Sequence, residues 1–334
     1  MKPALKWLHA IVATSLFGMS AMSHAEVVTK KTVWTEEEAA RFLNQNQPAS
    51  VPSTYNNSIG HATPSEATGY SNSTGYTGSP AGYEQPSVTA RAALVMDANT
   101  GEVLYSKNTY QALPIASVTK VMTAMVVLDA GLDMNEQIIL EKSDFSGANG
   151  KNSSSTLRVG DTMTRAEALL FALMKSENPA AVALSRTYPG GKEEFVAAMN
   201  QKAINLDMTS SRFYEASGLD VRNIANAQDL AKMVKAAVRY DIISKFSTTA
   251  NYHFSLGQRQ LASINTNRLV RDGAWLIQLS KTGYIRESGR CVVMQMKVNA
   301  RPTIMVLLGS GEGQARTNDA TKLYNWVAQM PQAL

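Results

Sequence analysis

Apolar, strand-forming runs sit at both ends of the ordered part of this chain, with a long helix-patterned block between them. Near the start, Ala92–Asp97 reads as a strand, Asn99-Thr100-Gly101 as a turn and Glu102–Ser106 as the returning strand. Near the end, Leu276–Ser280, Arg290–Asn299 and Thr303–Leu308 read as strands, Arg301-Pro302 as the turn between the last two, and Asn318–Gln329 as a closing helix. The block between has helical apolar spacing. One helix follows Pro114, runs from Ser117 to Ala130 and stops at Gly131. A second covers Arg165–Lys175 with Thr164 as its N-cap, and a third covers Ala227–Arg239. This order predicts an α/β chain of the α+β kind. First strands and last helix meet the late strands in an antiparallel sheet flanked by helices, and an all-helical lobe is inserted.

The chain ahead of Thr89 has a different character. Lys2 and Lys6 precede a mostly apolar run, Leu8–Met19, and Ser23-His24-Ala25 offers small residues where a signal peptidase reads. Residues 1–25 are therefore assigned as a cleaved export signal, too short to span a bilayer comfortably. No other stretch is long and apolar enough to cross a membrane, and no amphipathic anchor is expected after the last helix. Residues 26–88 are assigned as a flexible linker, with a short helix over Thr35–Phe42. From Asn44 to Ser87 Pro, Ser, Thr, Asn, Gly and Tyr dominate and Lys and Arg are absent, and such a segment buries too little apolar area to offset its ordering entropy. Residues 89–334 are assigned as the catalytic domain. The net charge of +5 falls to about +3 without Lys2 and Lys6, and no basic patch points to nucleic acid. The single cysteine, Cys291, excludes an internal disulfide and lies in an apolar strand run.

Chemistry-bearing residues recur in three places. Ser117-Val118-Thr119-Lys120 is the sole Ser-x-x-Lys of the chain. On a helix, residues three apart share a face, so a lysine desolvated in a cleft loses proton affinity and can take the serine proton. The helix N-terminus adds N–H groups for a developing oxyanion. Ser176-Glu177-Asn178 follows 59 residues after Ser117, at the end of a predicted helix. Lys281-Thr282-Gly283 lies 105 residues further on, at the end of an apolar strand. The same trio in the same order marks penicillin-binding proteins and class A β-lactamases.

With Ile115–Thr123, Ile277–Tyr284 and Gly289-Arg290-Cys291, these motifs resemble the low-molecular-mass penicillin-binding proteins, and most of all their D-alanyl-D-alanine endopeptidases. The resemblance covers about Arg91 to Met330. It implies a fold shared by DD-peptidases and β-lactamases, a periplasmic location, and hydrolysis of D-alanyl bonds in peptidoglycan stem peptides. It further implies that Ser117 is the nucleophile, Lys120 its base and Ser176 the relay to the leaving amine. Asn178 would hold Lys120 and the substrate backbone. Lys281 would assist Ser176 and attract a carboxylate that Thr282 binds, and Gly283 would leave room for the peptide. The N–H groups of Ser117 and Tyr284 would form the oxyanion hole. β-Lactams would inhibit covalently, and no cofactor or metal is implied. Cross-link cleavage and release of terminal D-alanine both remain open from the motifs.

Rival chemistries fit less well. A class A β-lactamase needs a glutamate that activates water. Glu215 lies in the right region, but Glu215–Asp220 lacks Glu-x-x-Leu-Asn, so Glu215 is read as structural. His61, in the linker, and His253, between Tyr252 and Phe254, are poorly placed for a Ser-His-Asp triad, and no His/Cys cluster suggests a metal. A non-catalytic wall-binding scaffold would have no use for Ser117. Pro179, where a larger and often basic residue is expected, is the one departure from the family pattern.

Overall fold

The computed structural model describes residues 36–45, 84–147 and 155–331. The segment assigned as a signal and most of the assigned linker lie outside the described residues. The described residues begin with helix α1 (Glu36–Gln45), and strands β1 (Ala92–Asp97), β2 (Val103–Lys107) and β3 (Leu113–Pro114) follow. A 3-10 turn at Ala116–Val118 leads into α2 (Thr119–Asp129), followed by β4 (Gln137–Ile139), β5 (Thr162–Thr164), α3 (Arg165–Leu170), α4 (Asn178–Arg186) and α5 (Gly191–Asn205). Then come β6 (Ile224–Ala225), α6 (Ala227–Ala237), α7 (Asp241–Thr248), the hairpin β7 (Asn251–Leu256) and β8 (Arg259–Ile264), and α8 (Arg268–Asp272). The chain closes through β9 (Leu276–Ile285), β10 (Gly289–Val298), β11 (Arg301–Ser310) and α9 (Ala315–Ala328).

Five of these strands form an antiparallel sheet in the order β2-β1-β11-β10-β9. Successive side chains point to opposite faces. Leu94, Val293, Val306 and Leu308 share the larger core with residues of α2, α3 and α6. Val95, Met294, Met305 and Leu307 pack instead with Leu323, Trp326 and Val327 of α9. Because both faces are covered, β10 and β11 read as continuous apolar runs rather than alternating ones. Residues Thr119–Leu128 of α2 are all buried, so this helix is enclosed on every side and forms the centre of the inserted lobe.

The expected hairpin, inserted lobe, late strands and closing helix are all present, with local corrections; the lobe is not all-helical, since it carries the short strand pairs β3–β6, β4–β5 and β7–β8. Arg301-Pro302 is not the last turn. Asn299 and Ala300 make it, with Asn299 at φ +55°, and Arg301 pairs with Val298 in the ladder. Asparagine tolerates that conformation, whereas Pro302, which has no N–H to donate, suits the start of a strand. Lys281-Thr282-Gly283 lies inside β9 and not at its end, because the ladder with β10 continues to Ile285. The helix expected from Ser117 begins as a 3-10 turn, and α2 proper starts at Thr119. The helix expected to Lys175 is α-helical to Leu170 and then widens into a π turn.

Two described parts of the assigned linker pack on the rest of the chain. In α1, Ala39 is fully buried, and the Phe42 ring lies 5.7 Å from Phe246 and 5.8 Å from Tyr252. Ala39, Phe42 and Leu43 fall on one helical face, which docks on the lobe instead of staying in solvent. At the other end Val88 is buried, and its carbonyl accepts from Lys107 Nζ at 2.9 Å. Packing therefore starts just before Thr89.

The first strand is also fixed to the last helix. Asp319 of α9, fully buried, accepts from Thr89 N and Thr89 Oγ1, each at 2.8 Å, and from Ala90 N at 3.0 Å. Removing the carboxylate leaves two backbone N–H groups without their acceptor. Asp319→Ala is expected to lower unfolding stability by about 3 kcal/mol in urea titrations, as befits loss of several bonds to one charged group. A loss under half a kilocalorie would show that water replaces the clamp.

Candidate active site

The nucleophile turn is shaped by its neighbours. Ile115 N donates to Asn223 O at 3.1 Å, next to the short β3–β6 pair. Ala116 is held at φ +48°, a conformation that costs an L-residue about 1–2 kcal/mol. Two glycines crowd this turn. A Cβ on Gly218 would stand 2.0 Å from Ala116 O, and one on Gly283 would stand 3.0 Å from Ser117 N. The loop from 215 to 220 and strand β9 thus both press on the backbone that presents Ser117. Gly218 in addition needs φ +86°.

Lys120 is fully buried one turn behind Ser117. Its Nζ lies 2.8 Å from Ser117 Oγ and donates to Asn178 Oδ1 and Ser217 O, each at 2.6 Å. A neutral amine has two N–H bonds and one lone pair. The two fixed acceptors take the N–H bonds, and the lone pair is left facing the Ser117 hydroxyl. Burial pulls the amine down to about 7, while the charges of Glu215 and Glu177 act in the opposite direction. The lysine therefore titrates near neutrality with its lone pair aimed at the Ser117 hydroxyl.

Ser176 arrives by a separate route. Thr164 caps α3 in a reciprocal box: its Oγ1 accepts from Glu167 N at 3.1 Å, and Glu167 Oε2 accepts from Thr164 N at 2.8 Å. After the π turn at Phe171–Lys175 the helix stops at Ser176, whose φ of +65° reverses the chain. Lys281 Nζ donates to Ser176 Oγ at 2.8 Å and to Thr282 O at 2.9 Å. Its proton affinity falls well below normal through burial, then through the charges of Lys120 and Arg316. Pro179 sits in the first turn of α4, where a missing N–H is no loss, so the departure from the family pattern leaves Asn178 in place.

The site extends beyond the three motifs. Glu215 is a clasp: its carboxylate accepts from Ser217 N at 2.6 Å, from Ser217 Oγ and Gly218 N at 2.5 Å each, and from Asn223 Nδ2 at 2.9 Å. This folds the loop so that Ser217 O points at Lys120, consistent with a structural reading of Glu215. Thr282 Oγ1 is 2.7 Å from Thr266 Oγ1, making a pair of hydroxyls beside the strand. Arg316 donates to Cys291 O at 3.2 Å and Gly283 O at 3.4 Å, and among the described residues no carboxylate pairs with it. Thr266 and Arg316 belong to no local motif, so only the sheet brings them here. Tyr284 is exposed on β9, its ring 5.0 Å from the Arg290 guanidinium. His253 lies in β7, outside the cluster. His61 lies outside the described residues. Among the described residues no group of three His, Cys, Asp or Glu side chains is placed to hold a metal, and no helix is long and apolar enough to cross a membrane.

A family model described as D-alanyl-D-alanine carboxypeptidase matches residues 80–312. The chain is 42% identical over 250 residues to a D-alanyl-D-alanine endopeptidase of Pseudomonas aeruginosa, covering 73% of this chain and 78% of that protein. It is 39% identical over 245 residues to the D-alanyl-D-alanine endopeptidase of Escherichia coli, with the same coverage. Among solved structures, a D-alanyl-D-alanine carboxypeptidase of Mycobacterium tuberculosis superposes with a TM-score of 0.68 at 26% identity, covering 77% of this chain and 98% of that one.

Three outcomes are expected from this geometry. The rate of Ser117 acylation, followed by intact-mass spectrometry, rises with pH along a limb centred near 7, because only the unprotonated Lys120 is a base. Glu215→Gln shifts that limb to lower pH, since it removes a charge that favours the ammonium. A pH-independent rate between 5 and 9 would rule out Lys120 as the base. Gly218→Ala places a methyl group into Ala116 O and is expected to slow acylation by about 10²-fold, the scale on which small misplacements of reacting groups are felt.

Proposed function

Because the chain belongs to the D-alanyl-D-alanine carboxypeptidase family of serine peptidases, we propose that it cuts the bond between the D-alanine of one peptidoglycan stem and the diaminopimelate of another. The observation that carries the reading is the Lys120 amine, held by two acceptors with its lone pair toward Ser117. Ser117 Oγ attacks the D-alanyl carbonyl as its proton passes to Lys120. The developing oxyanion lies between the N–H groups of Ser117 and Tyr284, and removing one such donor typically costs about 10²–10³ in rate. The C–N bond then breaks, and the proton taken up by Lys120 is passed through Ser176, which Lys281 keeps polarised, to the leaving nitrogen. Water hydrolyses the acyl-enzyme, releasing the donor stem as a carboxylate and restoring the serine hydroxyl.

The substrate lies along β9, the last strand of the sheet, as an added strand that Gly283 leaves room for and the Asn178 side chain steadies. The carboxylate next to the scissile bond is received by Thr282 and its partner Thr266, with Arg316 adding positive charge behind the strand. This reading keeps for Ser117, Lys120, Ser176, Asn178, Lys281, Thr282, Gly283 and Tyr284 the roles that the resemblance implies. Residues 1–25 direct export and are removed, residues 26–88 include a tether ending in packed chain, and the domain from about residue 89 acts in the periplasm. The endopeptidase reading is favoured by the two relatives named for that activity at 42% and 39% identity. The second reading, release of terminal D-alanine, rests on the name of the family.

A β-lactam enters the same cleft and acylates Ser117. Glu215 has its oxygens committed to Ser217, Gly218 and Asn223, so it holds no water for rapid deacylation. The penicilloyl adduct should therefore persist for many minutes, and sustained β-lactam turnover would reverse this assignment. Digestion of purified cell wall, with the products weighed by mass spectrometry, tests the main reading. Cross-linked dimers should fall in amount with the wild-type chain and remain with Ser117→Ala. Loss of pentapeptide alone would establish the carboxypeptidase reading in its place.

A further inference from the structure

The groove beside Ser176 contains residues that the reaction leaves unused. It is lined by Ser155, Thr156, Lys175, Ser176 and Glu177. Its far wall is fastened from two directions. Glu177, buried, accepts from Thr156 Oγ1 at 2.6 Å, from Thr156 N at 3.3 Å and from Ser155 Oγ in a short bond. From the other side Arg259 donates to Thr156 O at 3.0 Å while its guanidinium pairs with Asp161. The only acid lining the groove is thus committed to hydroxyl and amide donors. Lys175 differs: it is half-buried, and among the described residues no carboxylate pairs with it. The groove offers an uncompensated ammonium one residue from the hydroxyl that serves the leaving nitrogen.

The two reactions of this family differ in what leaves. Release of terminal D-alanine frees one small residue, whose single carboxylate is taken up at Thr282. Cross-link cleavage frees a diaminopimelate residue, which has a second carboxyl-bearing centre several bonds beyond the scissile nitrogen. That centre either is a free carboxylate or continues into a further residue that ends in one. The leaving strand must depart past Ser176, so its distal anion needs a place on that side of the cleft.

Taking the proposed cross-link cleavage as given, we propose that the groove between Ser176 and Ser155–Thr156 is the subsite for the distal, carboxylate-bearing part of the leaving strand. Lys175 is its pairing cation, and the Ser155 and Thr156 hydroxyls are polar neighbours held in place by Glu177. The subsite selects a long anionic leaving strand over a lone D-alanine. Because the pair stands at the cleft rim, raising salt weakens it.

The test compares Lys175→Glu and Lys175→Arg with wild type on two purified substrates, a tetrapeptide-linked muropeptide dimer and a pentapeptide monomer. Lys175→Glu is expected to lower kcat/KM for the dimer about tenfold more than for the pentapeptide, the size expected of a reversed charge at a binding rim. Lys175→Arg keeps most of the wild-type ratio. In the Ser117→Ala background, where nothing turns over, adding Lys175→Glu weakens dimer binding by a similar factor, and 0.5 M salt removes most of the difference. Equal losses on both substrates, or unchanged dimer binding, would overturn the subsite. A wild-type chain that releases D-alanine but leaves dimers intact would overturn the proposed cleavage alone, because the binding comparison reads the groove independently.

Discussion

Everything at this site depends on keeping one amine unprotonated at neutral pH while it stays within reach of a hydroxyl. Lys120 meets both conditions through burial and through a fixed set of oxygens. As an amine it gives its two hydrogens to Asn178 and Ser217 and receives the third from Ser117. As an ammonium it gives all three. Both states of the catalytic cycle are thereby hydrogen-bonded, which a buried group requires if it is to change charge without unfolding its surroundings.

The fold supplies these oxygens from parts of the chain far apart in sequence. Asn178 begins α4, just after a helix is ended by a left-handed serine. Ser217 sits in a loop folded around the Glu215 carboxylate. That loop meets the nucleophile turn so closely that only a glycine fits at position 218. Strand β9 presses on the same turn from the sheet side, again through a glycine. Ser117 is thus gripped between the lobe and the sheet, and the strained backbone at Ala116 persists because both neighbours enforce it. Asp319 extends the logic outward by tying the start of β1 to the last helix.

Charge is used sparingly in the cleft. Two lysines, Lys120 and Lys281, are buried in it; burial lowers the proton affinity of both, and the charges of Lys120 and Arg316 lower that of Lys281 further. Glu177 and Glu215 partly balance Lys120 without touching it, each being occupied with hydroxyl and amide donors. The outcome is a cleft with surplus positive charge in which burial lowers the proton affinity of the Lys120 amine. The ammonium of Lys175 stands at the edge of this arrangement, outside the proton path.

Much of this was legible in the residues. Ala92–Asp97 emerged as β1 with unchanged bounds, Thr164 caps its helix as its side chain suggested, and the Ser-x-x-Lys spacing placed Lys120 one turn behind Ser117. These are short-range matters, settled by side-chain periodicity, capping chemistry and helix geometry. The last turn was misplaced by two residues because Pro302 was taken for a turn former when Asn299 had the better claim to positive φ. The docking of α1, the clasp of Glu215, the hydroxyl pair of Thr266 and Thr282, and the approach of Arg316 had no local sign. Sequence alone determined which groups are available to exchange a proton, since their identity and order are covalent facts. Tertiary structure decided which oxygens surround the Lys120 amine and how dry it is, because those depend on contacts across some 60 to 100 residues of chain.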